Sequence, residues 1–258
     1  MASFDLSKAR ILVTNDDGVN APGLAVLERI ARSLSDDVWV VAPELEQSGA
    51  SHSLTMHRPL RLKELGERRY QVDGTPTDCV LLALNHLLED HRPDLVLSGV
   101  NHGSNMGEDV TYSGTIAAAM EATLLGVRAI AMSQRMERDT PVRWDTAERF
   151  GPEVVRKAVS QDWPRHVLIN VNYPDRAPED VTGMRVVRHG NRKIGDELVR
   201  RIDPRGRPYF WVGPVRGEKD VPEDTDIHVV THGGISVTPI YLDLTHYAAL
   251  EDLRRAFA

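Results

Sequence analysis

Short apolar runs alternate with segments of helical spacing over most of the chain. Residues 10–14 form an apolar run that ends in Asn-Asp-Asp-Gly, and Pro22 then opens a segment whose apolar side chains recur at helical spacing. The run predicts a buried strand, and the spacing predicts an amphipathic helix with proline in its first turn. Further strands are predicted at 38–42, 94–98, 127–132 and 167–171, and further helices at 77–88, from 113 onward and at 146–160. This alternation indicates an α/β fold with a mostly parallel sheet.

The pattern changes after about residue 172. Two short apolar arms flank a turn that contains proline and glycine, which predicts a β-hairpin at about 198–212. A two-stranded hairpin is marginal alone, so we expect it to pack against another subunit. A small hairpin is also predicted within 60–72, a closing strand at 235–239 and a closing helix at 247–257. We expect one domain over residues 1–258, with a core at 1–175 and a C-terminal part at 176–258.

The composition of the chain argues against several classes of function. The net charge of −7 argues against a general nucleic-acid surface, which needs a basic face. The single cysteine, Cys79, forbids a disulfide within the chain and is read as a small buried hydrophobe. The N-terminal residues lack the apolar core of a signal peptide, and charges interrupt the most apolar stretch. We therefore expect a cytoplasmic protein with no membrane span.

Three polar loops follow predicted strands, at 15–20, 44–53 and 98–113. In an open parallel sheet such loops meet at the carboxyl edge, where ligands bind. The first loop carries adjacent carboxylates, Asp16 and Asp17, which repel each other unless a cation or a proton compensates. Hard divalent cations prefer such oxygen ligands. The motif alone also fits an ordinary turn, so both interpretations stay open at this point.

The third loop adds neutral donors. Asn101 and Asn105 supply amide oxygens, and Ser113-Gly114-Thr115 opens a predicted helix. A helix N-terminus with free N–H groups is a natural phosphate site, although Ser113 could serve only as an N-cap. Signatures of P-loop, dinucleotide, serine-hydrolase and zinc sites are missing from the sequence. The carboxylates of Asp16 and Asp17 are adjacent, not separated by one residue as in phosphatases that use an aspartyl nucleophile. A water activated by a metal therefore fits the pattern better than a phosphorylated enzyme.

The sequence resembles the SurE family of stationary-phase survival proteins with nucleotidase activity. The resemblance spans nearly the whole chain, and the matching stretches are ILVTNDDGVNAPGL at 11–24, VVAPELEQSGASHSLT at 40–55, GTPTDCV at 74–80, PDLVLSGVNHGSNMGEDVTYSGTIAAAMEA at 93–122, DPRGRPYFWVG at 203–213 and TDIHVVTHGGISVTPIYLDLT at 225–245. One departure is Ala122, where the family usually has glycine; it lies within a helix and leaves the site unaffected.

The resemblance implies a Rossmann-like core, and a C-terminal hairpin exchanged between subunits of a homodimer or homotetramer. It implies metal-dependent release of phosphate from nucleoside 5′- and 3′-monophosphates, and in some members from short polyphosphate. One divalent ion per subunit, Mg²⁺ or Mn²⁺, is expected. Its implied ligands are Asp16, Asp17, Ser48 and Asn101, and the implied phosphate-side residues are Asn105, Ser113, Gly114 and Thr115. Residues before Arg10 are expected to form a disordered extension.

Asp16 and Asp17 are the predicted catalytic residues, and Asp17 is the better candidate to orient or deprotonate the attacking water. His52 and His102 are read as surface residues, and the basic stretch at 188–193 is read as a solvated face rather than a cover for the substrate. Two alternatives stay open: a non-enzymatic regulatory protein that binds nucleotides, and a phosphatase for another small ester.

Overall fold

A mostly parallel sheet flanked by helices forms the core of the chain. The structure, a computed structural model, describes residues 4–137, 140–192, 198–212 and 221–258. The strands are β1 Ile11–Thr14, β2 Val38–Pro43, β3 Leu62–Gly66, β4 Arg69–Val72, β5 Leu95–His102, β6 Arg128–Gln134, β7 Val167–Tyr173, β8 Met184–Val186, β9 Leu198–Ile202, β10 Pro208–Val212 and β11 Ile235–Tyr241. The α-helices are α1 Pro22–Arg32, α2 Pro76–Leu82, α3 Gly114–Leu124, α4 Trp144–Val159, α5 Asp226–Thr231 and α6 Tyr247–Ala256.

Nine of the described strands form one sheet in the order β3-β4-β2-β1-β5-β6-β7-β11-β8. The central pairs are parallel, whereas β3 pairs antiparallel with β4 and β11 pairs antiparallel with β7. Because both faces of the central strands are covered, their residues are almost all buried. The predicted α/β fold with a mostly parallel sheet is confirmed.

Two apolar layers hold the helices on the sheet. One layer joins α1 and α4 to the sheet through side chains such as Leu27 and Val155. The other joins α2 and α3 to the opposite face through side chains such as Val80 and Ile116. These layers fix where α1 and α3 begin, and both helices begin just beyond the carboxyl ends of β1 and β5.

Several predicted boundaries shift in the structure, and one prediction of disorder is corrected. The helix predicted at 77–88 is an α-helix only to Leu82, and the next turn, Ala83–Leu87, has π geometry. The strand predicted at 94–98 runs on to His102 through an irregularity in its pairing with β6. The predicted disorder before Arg10 is wrong for the described residues, because Leu6–Lys8 form a short 3₁₀-helix and Phe4 packs under the guanidinium of Arg128.

The predicted C-terminal hairpin is present as β9 and β10, which pair antiparallel as a separate two-stranded sheet. Phe210, Trp211 and Val212 on β10 are exposed. The closing helix α6 has no buried residue among its ten. Within the described ranges, no helix has both the length and the apolar character needed to cross a membrane.

Candidate active site

The three polar loops meet at the carboxyl edge of the sheet, as the parallel topology predicts. The Gln47 N–H donates to the Asp16 carbonyl at 2.7 Å, which joins the second loop to the first. The His102 N–H donates to Asp17 Oδ2 at 3.0 Å, which joins the third loop to the first. The Ser51 N–H donates to the Tyr112 carbonyl at 3.1 Å and joins the second loop to the third. The predicted convergence of the loops is therefore present in the structure.

Asp16 is the most buried acid of the site. Only 3% of its surface is exposed, and it lies against the start of α3. The Thr115 hydroxyl donates to Asp16 Oδ1. A Cβ added at Gly114 would lie 2.7 Å from the Asp16 Cβ, so glycine is needed for this close approach. Burial raises the pKa of Asp16 to about 6, and the charge of Asp17 adds to the increase, while the Thr115 hydrogen bond opposes it.

Asp17 is half-buried beside it. Burial raises the pKa of Asp17, the backbone hydrogen bond from His102 opposes this effect, and the charge of Glu46 raises the pKa further. The raised pKa values mean that the charged forms of these two adjacent carboxylates are poorly stabilised in the metal-free chain. A bound cation would supply that charge.

The neutral predicted ligands lie on the other two loops. Ser48 is exposed, and its hydroxyl donates to Glu46 Oε1 at 2.8 Å. The amide nitrogen of Asn101 donates to the Gly103 carbonyl at 2.7 Å, an orientation that leaves its amide oxygen available as a ligand.

Carboxylate, hydroxyl and amide oxygens are the donors that Mg²⁺ and Mn²⁺ take, so the residues present fit such an ion. The described residues contain no group of three or more His, Cys, Asp or Glu side chains that could hold a metal ion. A site of two carboxylates and neutral oxygens agrees with that finding.

Asn105 holds the third loop in place. Its N–H donates to Asn172 Oδ1 at 2.8 Å, and its side-chain amide donates to Ser133 Oγ at 2.9 Å. Its carbonyl accepts from the side chains of Asn170 and Asn172. This buried network fixes Asn105 to β6 and β7 and leaves it 7% exposed.

The start of α3 uses its two hydroxyls locally. Ser113 Oγ accepts from the Ile116 N–H at 3.1 Å, which makes Ser113 the N-cap of the helix. The Thr115 hydroxyl donates its hydrogen bond to Asp16. What this segment can offer an anion is therefore the N-terminal turn of α3, opened by Gly114, rather than the two side-chain hydroxyls.

Both histidines are exposed residues, in agreement with the sequence interpretation. The His52 side chain keeps 30% of its surface exposed, and its Nε2 lies 3.0 Å from Oε2 of Glu121, a largely buried acid on α3. The pair attaches the second loop to the helix that starts at the site.

The interpretation of residues 188–193 as a solvated face is wrong at Arg192. Its side chain is only 17% exposed, and its guanidinium forms an ion pair with the buried Asp109. Its N–H also donates to Glu108. Arg188 does fit a solvated face, because it pairs with Asp224 in the open. Lys193 lies outside the described residues.

Two residues of the site were missed by the sequence analysis. Glu46 affects the pKa of Asp17, and Trp144 lines a cavity of about 350 Å³ that borders Asp17. Glu46 lies two positions before Ser48 and could have been found by extending the motif of the second loop. Trp144 had no signal beyond its place near a predicted helix, because only the fold brings it to the first loop.

Comparisons with known proteins agree on one family. The family model described as "Survival protein SurE" matches residues 11–196. Curated relatives named "5′-nucleotidase SurE" include one from Paramagnetospirillum magneticum, 58% identical over 98% of this chain and 97% of its own length. Another, from Rhodospirillum rubrum, is 55% identical over 98% of both chains. The solved SurE protein from Aquifex aeolicus superposes with a TM-score of 0.85 at 38% identity, over 96% of this chain and 100% of that one.

Proposed function

The chain belongs to the SurE family, and we propose on that premise that it is a 5′-nucleotidase that removes phosphate from nucleoside monophosphates. The observation that carries the proposal is the Asp16–Asp17 pair, held at the carboxyl edge by the other two loops. The near full-length match to relatives named as nucleotidases supports the substrate class. Nucleoside 5′-monophosphates are the proposed principal substrates, with 3′-monophosphates and short polyphosphate as further ones.

In the proposed site, Asp16, Asp17, Ser48 and Asn101 hold one Mg²⁺ or Mn²⁺ per subunit. When bound, such an ion supplies Lewis-acid activation of the phosphate and of a water molecule. The Thr115 hydroxyl holds Oδ1 of Asp16 by a hydrogen bond, so Oδ2 can face the ion. Asp17 is more open than Asp16 and is the better candidate to orient or deprotonate the attacking water.

The same site has a proposed phosphate side. The N-terminal turn of α3, with Ser113, Gly114 and Thr115, is the proposed donor to the phosphoryl oxygens. Asn105 is proposed to act beside it, held in place by its hydrogen bonds to Ser133 and Asn172. Fixed donors of this kind stabilise charge that develops in phosphoryl transfer.

Assembly and location are part of the proposal. The exposed apolar side chains of β10 support a homodimer or homotetramer formed through the hairpin. A cytoplasmic location fits nucleoside monophosphates as substrates. The acidic overall charge supports small nucleotides as partners rather than a stable nucleic-acid complex.

A phosphate-release assay on AMP and GMP tests the function. We expect release with Mn²⁺ or Mg²⁺, loss of release with EDTA, and recovery when the ion is restored. Asp16→Asn should lose most of the activity, whereas Asp90→Asn, an exposed aspartate outside the site, should keep it. Full activity of Asp16→Asn with metal present would refute the assignment.

The alternatives give different results in the same experiment. A regulatory protein would bind AMP in a calorimeter and release no phosphate with any ion. A phosphatase for another small ester would prefer sugar phosphates over AMP in a substrate panel.

A further inference from the structure

A cavity of about 350 Å³ opens beside the proposed metal site. Its wall is shared with that site, because Asp17 and His102 line it. The other lining residues are Ala21, Pro22, Gly23, Glu46, Val142 and Trp144. Small-molecule sites have volumes of about 300–1,000 Å³, so the cavity can take a heterocycle of moderate size.

Trp144 gives the cavity a flat aromatic wall. It is the first residue of α4, partly buried against the core cluster that α1 and α4 share. A Cβ at Gly23 would lie only 3.0 Å from Trp144 Cη2, so the absence of a side chain at Gly23 lets the ring lie close to the start of α1. The indole is therefore held in position by packing before any ligand binds.

A second ring, that of His102, lines the same cavity. The His102 and Trp144 ring centroids are 6.2 Å apart, with their planes 38° apart. The two rings are tilted rather than stacked on each other. His102 is exposed, whereas Trp144 is partly buried. Aromatic side chains are the surfaces on which planar bases stack.

The position of the cavity agrees with the shape of a nucleotide. The phosphate would lie at Asp16, Asp17 and the start of α3, and the base of a nucleoside monophosphate is one sugar ring away from its phosphate. A ligand that extends from the metal site past Asp17 enters the cavity directly, because Asp17 belongs to both.

We propose that this cavity is the nucleobase subsite and that Trp144 is its stacking surface. The inference rests on the proposed nucleotidase function and deepens it, since it explains why a nucleotide would be preferred over a phosphate ester that lacks a base. Base–aromatic stacking is tolerant of sequence, so the subsite would accept several bases.

The test compares AMP with ribose 5-phosphate, which has the same phosphate and sugar but lacks the base. The wild-type protein should hydrolyse AMP with a higher kcat/KM than ribose 5-phosphate. In Trp144→Leu the kcat/KM for AMP should fall by about tenfold more than that for ribose 5-phosphate, mainly through KM. Trp144→Phe should restore part of the preference, because it keeps an aromatic face.

Trp163→Leu is the matched control. Trp163 is also a partly buried tryptophan that packs on the same core cluster, but it lines a different cavity at the far end of α4. This variant should keep the wild-type ratio between the two substrates.

The possible outcomes distinguish the nucleobase subsite from the nucleotidase function on which it rests. An equal loss on both substrates in Trp144→Leu, with Trp144→Phe giving no recovery, would overturn the base subsite and leave the nucleotidase proposal standing. An unchanged preference for AMP would overturn it as well. If the wild-type protein hydrolysed neither substrate with Mn²⁺ or Mg²⁺ while it still bound adenosine with quenching of tryptophan fluorescence that Trp144→Phe weakens, the nucleotidase proposal would fail and the base subsite would stand.

Discussion

At the scale of single residues, Asp16 combines a proposed role in metal binding with an environment that disfavours its charged form. Burial raises the pKa of its carboxyl from 3.8 to about 6 in the metal-free chain. The folded chain therefore holds a proton on Asp16 more strongly than the unfolded chain does. Stability falls as the pH rises between these two values, and the full cost remains above the folded pKa.

Asp16→Asn should therefore stabilise the metal-free protein at pH 7 while it loses most of the activity. Asparagine keeps an oxygen that can accept from Thr115, and it carries no charge to bury. The pKa difference corresponds to a gain of up to about 3 kcal/mol. Thermal melts in EDTA should show the higher Tm for the variant at pH 7, with the gap narrowing toward pH 5. Equal Tm values at pH 7 would contradict this account of the Asp16 environment.

Thr115 gives a second prediction at this scale. Thr115→Val keeps the size of the side chain and removes the donor to Asp16, so the metal should bind less tightly. We expect the Mn²⁺ concentration for half-maximal activity to rise by about tenfold or more. Thr115→Ser keeps the donor and should remain close to wild type. A rise in the KM for AMP with unchanged metal dependence would instead identify the hydroxyl as a phosphate contact.

The sequence predicts Asp16 and Asp17 as site residues because two adjacent acids at the end of a strand are visible in the sequence itself. It could not assign the Thr115 hydroxyl to Asp16, since that contact joins positions 99 residues apart. The direction in which a side chain points depends on the packing of α3 against the first loop, and no local pattern encodes it.

At the scale of elements, the third loop is held from the C-terminal part of the chain. Arg192 forms an ion pair with Asp109, and Asp226 accepts from the N–H groups of Gly107 and Gly190. The short helical turn Gly107–Thr111, which leads into α3, is therefore fixed by residues more than eighty positions later. The third loop therefore depends on residues that the motif at 98–113 does not contain.

Arg192→Ala should destabilise the protein and lower its activity. The change would leave the carboxylate of Asp109 buried without its cation, and breaking a buried pair costs on the order of 3 kcal/mol. Urea unfolding and phosphate release should both report the loss. Arg188→Ala removes an exposed pair in the same stretch and should leave both measurements unchanged. Similar results for the two variants would mean that the Arg192 pair contributes little.

Local patterns predicted most of the elements well. The helix predicted at 77–88 is present as α2, which Thr75 opens by forming a capping box with Asp78. The end of α2 was placed too late, because the apolar spacing continues through Ala83–Leu87 while the backbone widens to π geometry. Periodicity identifies which face is apolar, but it does not distinguish these two helix types.

At the scale of the whole molecule, the hairpin of β9 and β10 exposes several apolar side chains within the described part of the chain. Leu198 and Ile202 on β9 and Phe210, Trp211 and Val212 on β10 are all exposed. A large exposed apolar surface of this kind is typical of an interaction site. Residues next to the hairpin, 193–197 and 213–220, lie outside the described ranges.

Phe210→Glu should weaken the proposed assembly. The side chain is 58% exposed in the single chain, so a charge there is tolerated by the monomer and disfavoured in an apolar interface. Light scattering after gel filtration should show a smaller particle, as should deletion of residues 198–212. Arg205→Glu, in the turn of the hairpin, should leave the size unchanged. A particle of wild-type size in both Phe210→Glu and the deletion would refute assembly through the hairpin.

The topology of the sheet was only partly predictable. Alternating strands and helices predict the parallel order around β1 and β5, because each crossover returns the chain in the same direction. The closing strand β11 was predicted as a strand, yet it lies between β7 and β8 and runs antiparallel to β7. Its place depends on its pairing with β7 and β8, and the residues of β11 alone do not contain that information.

The contact between Gly114 and Asp16 also determines which sequences can carry this site. Every amino acid except glycine has a Cβ, and that atom would overlap the Asp16 side chain. In a library that randomises position 114, selection for phosphate release should recover a single amino acid. Position 66, where a Cβ would meet no atom within 4 Å, should return many. In a map of mutational tolerance, the position with no side chain at all would then be among the least replaceable in the molecule.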